Sequence, residues 1–135
     1  MDMIQQNFGY IVMGLFIAWM LWRRLIAPKL SGVASMSAGE YMQLRDQPHA
    51  LVDVRSAGEW ASGHAPNAVH IPLGELSGRQ REIPATQPVV VVCASGNRSA
   101  VGATTLARQG FRSVYNFSGG MSAWQGAGLP VRTGK

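Results

Sequence analysis

The single cysteine of the chain, Cys93, is the residue best suited to covalent chemistry. It follows four consecutive valines, Val89–Val92, and heads a short polar loop that leads into a predicted helix. Amide groups in such a loop, at the positive end of a helix, lower the pKa of a thiol and so favour the nucleophilic thiolate. The candidate site consists of Cys93 as the catalytic residue and of the residues expected to bind substrate beside it, Ala94, Ser95, Gly96, Asn97, Arg98 and Ser99.

A lone cysteine at a strand end is ordinarily a small buried apolar residue. The loop after Cys93 argues for a reactive thiol, because a purely structural strand end gains nothing from an amide-lined turn that can hold an anion. Arg98 adds a fixed positive charge suited to an oxyanion. With one cysteine, the chain forms neither an internal disulfide nor a Cys-based zinc site, and any group carried on Cys93 must leave to another molecule.

Other polar residues have weaker patterns. Asp53 and Arg55 follow a predicted strand and either support the Cys93 loop through a charged hydrogen bond or only tie the strand to its own loop. His64 and His70 show no recognisable spacing with a carboxylate, so we interpret both as structural. Glu59 could face the loop, but its position in the sequence does not show it. The sequence predicts no metal site.

The elements that must position these residues alternate between strands and helices. Strands are predicted at 51–54, 68–71, 89–92 and 114–117, and helices after the capping box Ser37–Glu40, at 56–62, at 99–109 and around Trp124. The run Val89–Val92 is typical of a central parallel strand covered on both faces. We therefore predict an α/β fold with a largely parallel sheet flanked by helices, and Cys93 at its ligand-binding carboxyl edge.

The stretch Phe8–Trp22 carries no charge and precedes Arg23 and Arg24. This pattern predicts a short tail at 1–7, a transmembrane helix at 8–26, a linker at 27–35 and the α/β domain at 36–135. The positive-inside rule places the domain in the cytoplasm, as part of a single-pass protein of the bacterial inner membrane. A cleaved signal peptide stays an alternative, although its positive charges should precede the apolar region. The net charge is +5, but the positive residues form no basic patch, so we do not expect nucleic acid as a partner.

Three motifs together resemble those of the single-domain rhodaneses. The loop Cys93-x-x-Gly96-x-Arg98-Ser99 is similar to their active-site loop. The first signature motif of the family is similar to residues 51–56, Glu59-Trp60 and residues 63–72 of this chain. The carboxyl-terminal signature motif of the family is similar to residues 118–124 and 128–131. Ala65 and Asn67 depart from the usual pattern, which more often has a branched apolar residue and glycine there.

The resemblance implies a sulfurtransferase that needs no cofactor. Its Cys93 would take sulfane sulfur from a small donor, thiosulfate or a persulfide, and pass it to cyanide or a thiol. Phosphatases and arsenate reductases of this fold have one more residue between cysteine and arginine than the four found here, which leaves that function as a weaker alternative. A second alternative is a membrane-tethered binding module that catalyses no reaction.

Overall fold

The structure, a computed structural model, describes residues 3–22 and 33–134, and the chain divides into two compact units after Ser31. Helix α1, Met3–Leu21, is the described part of the first unit. Within the described ranges, no helix is long and apolar enough to cross a membrane. The apolar part of α1, from Phe8 onward, covers about 21 Å at 1.5 Å per residue, against roughly 30 Å of bilayer core.

The prediction of a transmembrane helix at 8–26 is therefore not supported. Its apolar stretch is preceded by Gln5, Gln6 and Asn7, which belong to the same helix and are polar. The helix also begins at Met3, inside the predicted tail. Residues 23–26 of the predicted span, and most of the predicted linker, lie outside the described residues.

The second unit is built on a five-stranded sheet in the order β1-β5-β4-β2-β3, and every paired strand is parallel. Its strands are β1 Val33–Met36, β2 Ala50–Asp53, β3 Val69–His70, β4 Val89–Val92 and β5 Val114–Phe117. The helices are α2 Ala38–Leu44, α3 Ala57–Ser62, α4 Asn97–Arg108 and α5 Gly120–Gly126, with 3-10 turns at Leu73–Glu75 and Gln80–Glu82. The α/β fold with a parallel sheet is confirmed.

Strand β4 lies in the middle of the sheet, as its valine run predicts. All four valines are 0% exposed, because alternate side chains point into the two cores that cover the sheet. Val89 and Val91 belong to one core, and Val90 and Val92 to the other. Cys93 continues the alternation and joins the core of Val89 and Val91.

Most element boundaries lie within a residue of the prediction, and two elements differ by more. Strand β1 lies almost wholly within the predicted linker and pairs with β5. Its sequence, Val-Ala-Ser-Met, is short and has no apolar alternation, so only its neighbour in the sheet identifies it as a strand. Helix α4 starts at Asn97, two residues before the predicted start, because Gly96 adopts a left-handed conformation that ends the loop and begins the helix.

Candidate active site

The Cys93 side chain lies beneath the loop that follows β4 and is only 1% exposed. The amide nitrogen of Gly96 donates a hydrogen bond to Cys93 Sγ over 3.0 Å. Gly96 has φ 105°, a left-handed conformation that a residue with Cβ adopts at a cost, so glycine suits this turn of the loop. On the other side, Ser99 Oγ lies 3.3 Å from the sulfur, and Ser99 is fully buried. The sulfur is therefore held between a loop amide and a helix hydroxyl.

These contacts set the protonation of the thiol. Burial raises the pKa of Cys93, because it disfavours the charged form. The Ser99 hydroxyl and the amides of Ser99, Gly96 and Ser95 act in the opposite direction and together outweigh burial, so the pKa of the Cys93 thiol lies below its ordinary value. The amide-lined loop thus has the effect on the thiol that its sequence suggests.

Arg98 pairs with Glu59 of α3 rather than standing free. Its two terminal nitrogens donate to the two carboxylate oxygens of Glu59 over 2.7 and 2.8 Å. Glu59 also accepts from the amide and hydroxyl of Ser56, as part of a capping box at the start of α3. Chiefly because of the Arg98 hydrogen bond, the pKa of Glu59 falls to about 2. The charge of Arg98 still acts on Cys93, so it remains part of the site's electrostatics.

The loop is fixed from behind by the start of α5. The amide of Met121 donates to the carbonyl oxygen of Cys93 over 2.7 Å, and that of Ser122 to the carbonyl oxygen of Ala94 over 3.4 Å. Gly120 has φ 56°, and a Cβ on it would overlap the backbone of Cys93 and Ala94. This glycine is required because two backbone segments approach each other without room for a side chain.

Asn116 of β5 belongs to the site, although the sequence pattern did not identify it. Its side-chain oxygen accepts from Ser99 Oγ over 2.5 Å, and its side-chain nitrogen donates to the Gly96 carbonyl oxygen over 3.2 Å. It therefore contacts the two residues that contact the sulfur. One signal was available: Asn116 is polar in an apolar strand and two residues from Val114, which places both on the same sheet face.

The predicted supporting residues, Asp53 and Arg55, form a buried ion pair with an N–O distance of 2.8 Å. Arg55 also donates to the carbonyl oxygen of Gly63 over 2.6 Å. The pair thus ties the end of β2 to the end of α3. In the part of the chain that the structure describes, neither side chain has a hydrogen bond to the Cys93 loop.

The two histidines near this pair both stack on the same aromatic residue, Trp60. His64 and His70 lie with ring centroids 3.6 and 4.8 Å from that of Trp60. Each also has a backbone hydrogen bond, His64 with the Trp60 carbonyl and His70 with the Arg55 carbonyl. These contacts fix both rings against their neighbours, and the structural role of the two histidines stays a prediction. Residues 3–22 and 33–134 contain no group of three His, Cys, Asp or Glu side chains that could hold a metal ion.

Of the remaining loop residues, Ser95 and Asn97 are exposed and Ala94 is half-buried. The six loop residues predicted to bind substrate thus have different surroundings in the structure. The Gly96 amide and Ser99 face the sulfur, Arg98 faces Glu59, and Ser95 and Asn97 are exposed.

Comparison with known proteins agrees with this geometry. The family model of the rhodanese-like domain matches residues 37–127. A Bacillus subtilis (strain 168) protein named as a sulfur carrier, YrkF, is 37% identical over 98 residues, or 71% of this chain and 53% of its own length, so the chain spans about half of that relative. An Allochromatium vinosum protein named sulfurtransferase is 41% identical over 81 residues, 60% of this chain and 76% of that protein. A solved structure, a rhodanese-related protein of Thermoplasma volcanium, has 30% identity and a TM-score of 0.66 over 73% of this chain and 96% of that one.

Proposed function

Because the chain belongs to the family of rhodanese-like domains, we propose that it is a sulfurtransferase in which Cys93 carries sulfane sulfur as a persulfide. The observation that carries the proposal is the Cys93 sulfur, held by the Gly96 amide and next to the Ser99 hydroxyl, with a lowered thiol pKa. The relatives named as a sulfur carrier and as a sulfurtransferase support it.

In the first step, the Cys93 thiolate attacks the outer sulfur of the donor. With thiosulfate as donor, the S–S bond of thiosulfate breaks, sulfite leaves with the bonding electron pair, and the sulfur stays on Cys93 as a persulfide anion. The loop amides lower the pKa of the thiol and so raise the fraction of Cys93 that is present as the attacking thiolate.

In the second step, cyanide or an acceptor thiolate attacks the outer sulfur. The S–S bond of the persulfide breaks, its electron pair returns to Cys93 Sγ, and the product is thiocyanate or a new persulfide. The Gly96 amide again stabilises the sulfur as it regains its negative charge. Since the chain has one cysteine, no second thiol of the same chain resolves the persulfide, and the two half-reactions give ping-pong kinetics.

The low exposure of Cys93 favours small donors over bulky ones. Thiosulfate and a small persulfide are both small donors, and in both of them the sulfur to be transferred is a terminal atom. Whether the acceptor is cyanide, a small thiol or a protein thiol stays a prediction.

Mass spectrometry tests the proposal directly. The full chain is reduced, desalted, incubated with thiosulfate and desalted again, and the intact mass is measured. We expect the gain of one sulfur atom, its loss on addition of cyanide with equimolar thiocyanate, and no gain in Cys93→Ser. A chain that stays folded yet gains no sulfur from thiosulfate or from a small persulfide would instead support a binding module.

The location of the domain also stays a prediction. One cysteine, which allows no disulfide within the chain, suits a reducing compartment such as the cytoplasm. A reporter fused after residue 135 should be active in the cytoplasm, and activity only in the periplasm would contradict this placement.

A further inference from the structure

The hydroxyl of Ser99 lies between two groups that compete for its one hydrogen. Ser99 Oγ is 2.5 Å from the side-chain oxygen of Asn116 and 3.3 Å from Cys93 Sγ. A hydroxyl donates one hydrogen and accepts at two lone pairs, whereas an amide oxygen only accepts. The Ser99 hydrogen must therefore lie on the contact with Asn116. The neutral thiol fits this arrangement, because its S–H can donate to Ser99 Oγ.

The Gly96 carbonyl fixes which way the Asn116 amide points. The group that faces Gly96 over 3.2 Å must be the amino group, because a backbone carbonyl oxygen only accepts. If the amide were flipped, its nitrogen would donate to Ser99 Oγ and release the Ser99 hydrogen for the sulfur. The flipped amide would, however, place its own oxygen against the Gly96 oxygen. The loop therefore holds Asn116 as an acceptor for Ser99.

We propose that Asn116 is a positioning residue that competes with Cys93 Sγ for the Ser99 hydrogen and so limits what Ser99 contributes to the thiolate. When Cys93 loses its proton, the thiolate and the Asn116 oxygen both require the same hydrogen, so the thiolate receives less stabilisation than a free Ser99 would supply. A less stabilised thiolate is a stronger nucleophile, since nucleophilicity rises with thiol pKa.

The proposal deepens the proposed function and in part rests on it. Once Cys93 carries an outer sulfur, Sγ is a neutral, weakly accepting sulfur, and the negative charge lies one atom further out. Sγ then no longer competes for the Ser99 hydrogen, which stays in the hydrogen bond to the Asn116 side-chain oxygen. Asn116 thus disfavours the empty thiolate relative to the persulfide, which favours uptake of sulfur from the donor.

The charged groups near the thiol are the same in every variant used to test this. Arg98, at the start of α4, acts on Cys93 and is paired with Glu59 of α3. Asp53, at the end of β2, acts on Arg98 and is paired with Arg55. Within the described residues, β5 contributes no charged side chain to this site, so Asn116 acts on the thiol by hydrogen bonding alone.

A double-mutant cycle on the full chain tests the proposal without requiring sulfur transfer. Thiolate formation is followed by ultraviolet absorbance against pH, with Cys93→Ser as the blank, and alkylation by iodoacetamide is measured in parallel. Asn116→Ala should move the titration to lower pH and raise the thiolate fraction below the midpoint about fivefold, the effect of one ordinary hydrogen bond. The plateau rate of alkylation at high pH should fall about twofold, as the dependence of nucleophilicity on thiol pKa requires.

The Ser99→Ala background separates this effect from a loosened loop. There, Asn116→Ala removes only the contact with Gly96, so the shift to lower pH should disappear. A shift of equal size in both backgrounds, or a shift to higher pH with Ser99 intact, would overturn the proposal. Asn116→Val, which suits a strand better, replaces Asn116→Ala if the latter unfolds. Because alkylation does not depend on a sulfur donor, failure of this test is distinct from failure to load sulfur.

Discussion

Gly120 allows a sharp test of how closely the Cys93 loop is held. We expect Gly120→Ala to destabilise the fold and displace the loop, because Gly120 has φ 56° and an added Cβ would overlap the backbone of Cys93 and Ala94. The Cβ can be accommodated only if the backbone of Cys93 and Ala94 moves, because the atoms that it would meet are backbone rather than the end of a flexible side chain.

The magnitude follows from three contributions. A left-handed conformation costs a residue with Cβ about 1–2 kcal/mol. Forcing a methyl group into a packed site costs about 1–3 kcal/mol in shifted backbone. Replacing glycine by alanine returns about 0.4–1 kcal/mol, because the unfolded chain loses conformational freedom. The net loss is about 3 kcal/mol, which for a domain of this size lowers the melting temperature by about 12–24 °C.

Gly126→Ala is the matched control. Gly126 ends the same helix, has no left-handed φ, and has open space where a Cβ would stand, so its replacement should be neutral or slightly stabilising. Thermal unfolding of the two variants, followed by circular dichroism, measures the difference. If the melting temperatures of Gly120→Ala and Gly126→Ala differ by less than about 3 °C, the inference that α5 closely approaches the Cys93 loop is wrong.

Two further predictions concern ion pairs and are checked by urea unfolding. Glu59→Gln keeps the capping oxygen but removes the charge. Because the folded pKa of Glu59 is about 2, below its ordinary value of 4.5, the wild type should exceed this variant in stability most above pH 4.5, and the difference should vanish as pH falls toward 2. Asp53→Asn leaves the buried Arg55 charge unpaired and should cost about 3–5 kcal/mol, whereas Glu82→Gln, in an exposed pair, should leave the midpoint nearly unchanged. An Asp53→Asn midpoint as close to wild type as that of Glu82→Gln would contradict the buried pair.

The parts of the fold that could be predicted are those whose cause is local. The run Val89–Val92 identifies a central strand because each position is apolar whichever face it meets. The capping box at Ser37 and Glu40 is formed by residues three apart, and the structure contains it as predicted. The position of Cys93 also follows locally, from a buried strand followed by a glycine and a helix.

The parts of the site that could not be predicted depend on contacts between distant segments. Glu59 lies 39 residues from Arg98, and Asn116 lies 17 residues from Ser99. Each pair meets only because the strand order and register place the two segments side by side. The sequence shows that Asn116 is polar within a strand, but not that β5 lies next to β4 with Asn116 opposite Val91.

The pairing of Arg98 also bears on which chemistry the loop suits. The sequence suggests a free positive charge for an oxyanion, yet Glu59 engages both terminal nitrogens of Arg98 and balances its charge. Stabilisation of the sulfur therefore falls mainly to hydrogen bonds from the backbone amides of Ser99, Gly96 and Ser95. Such neutral donors match a persulfide, which carries a single negative charge, better than a phosphoryl group, which carries two and draws on unpaired cations. The balanced Arg98 and Glu59 pair is thus a physical reason, independent of loop length, to favour sulfur transfer over phosphate chemistry at Cys93.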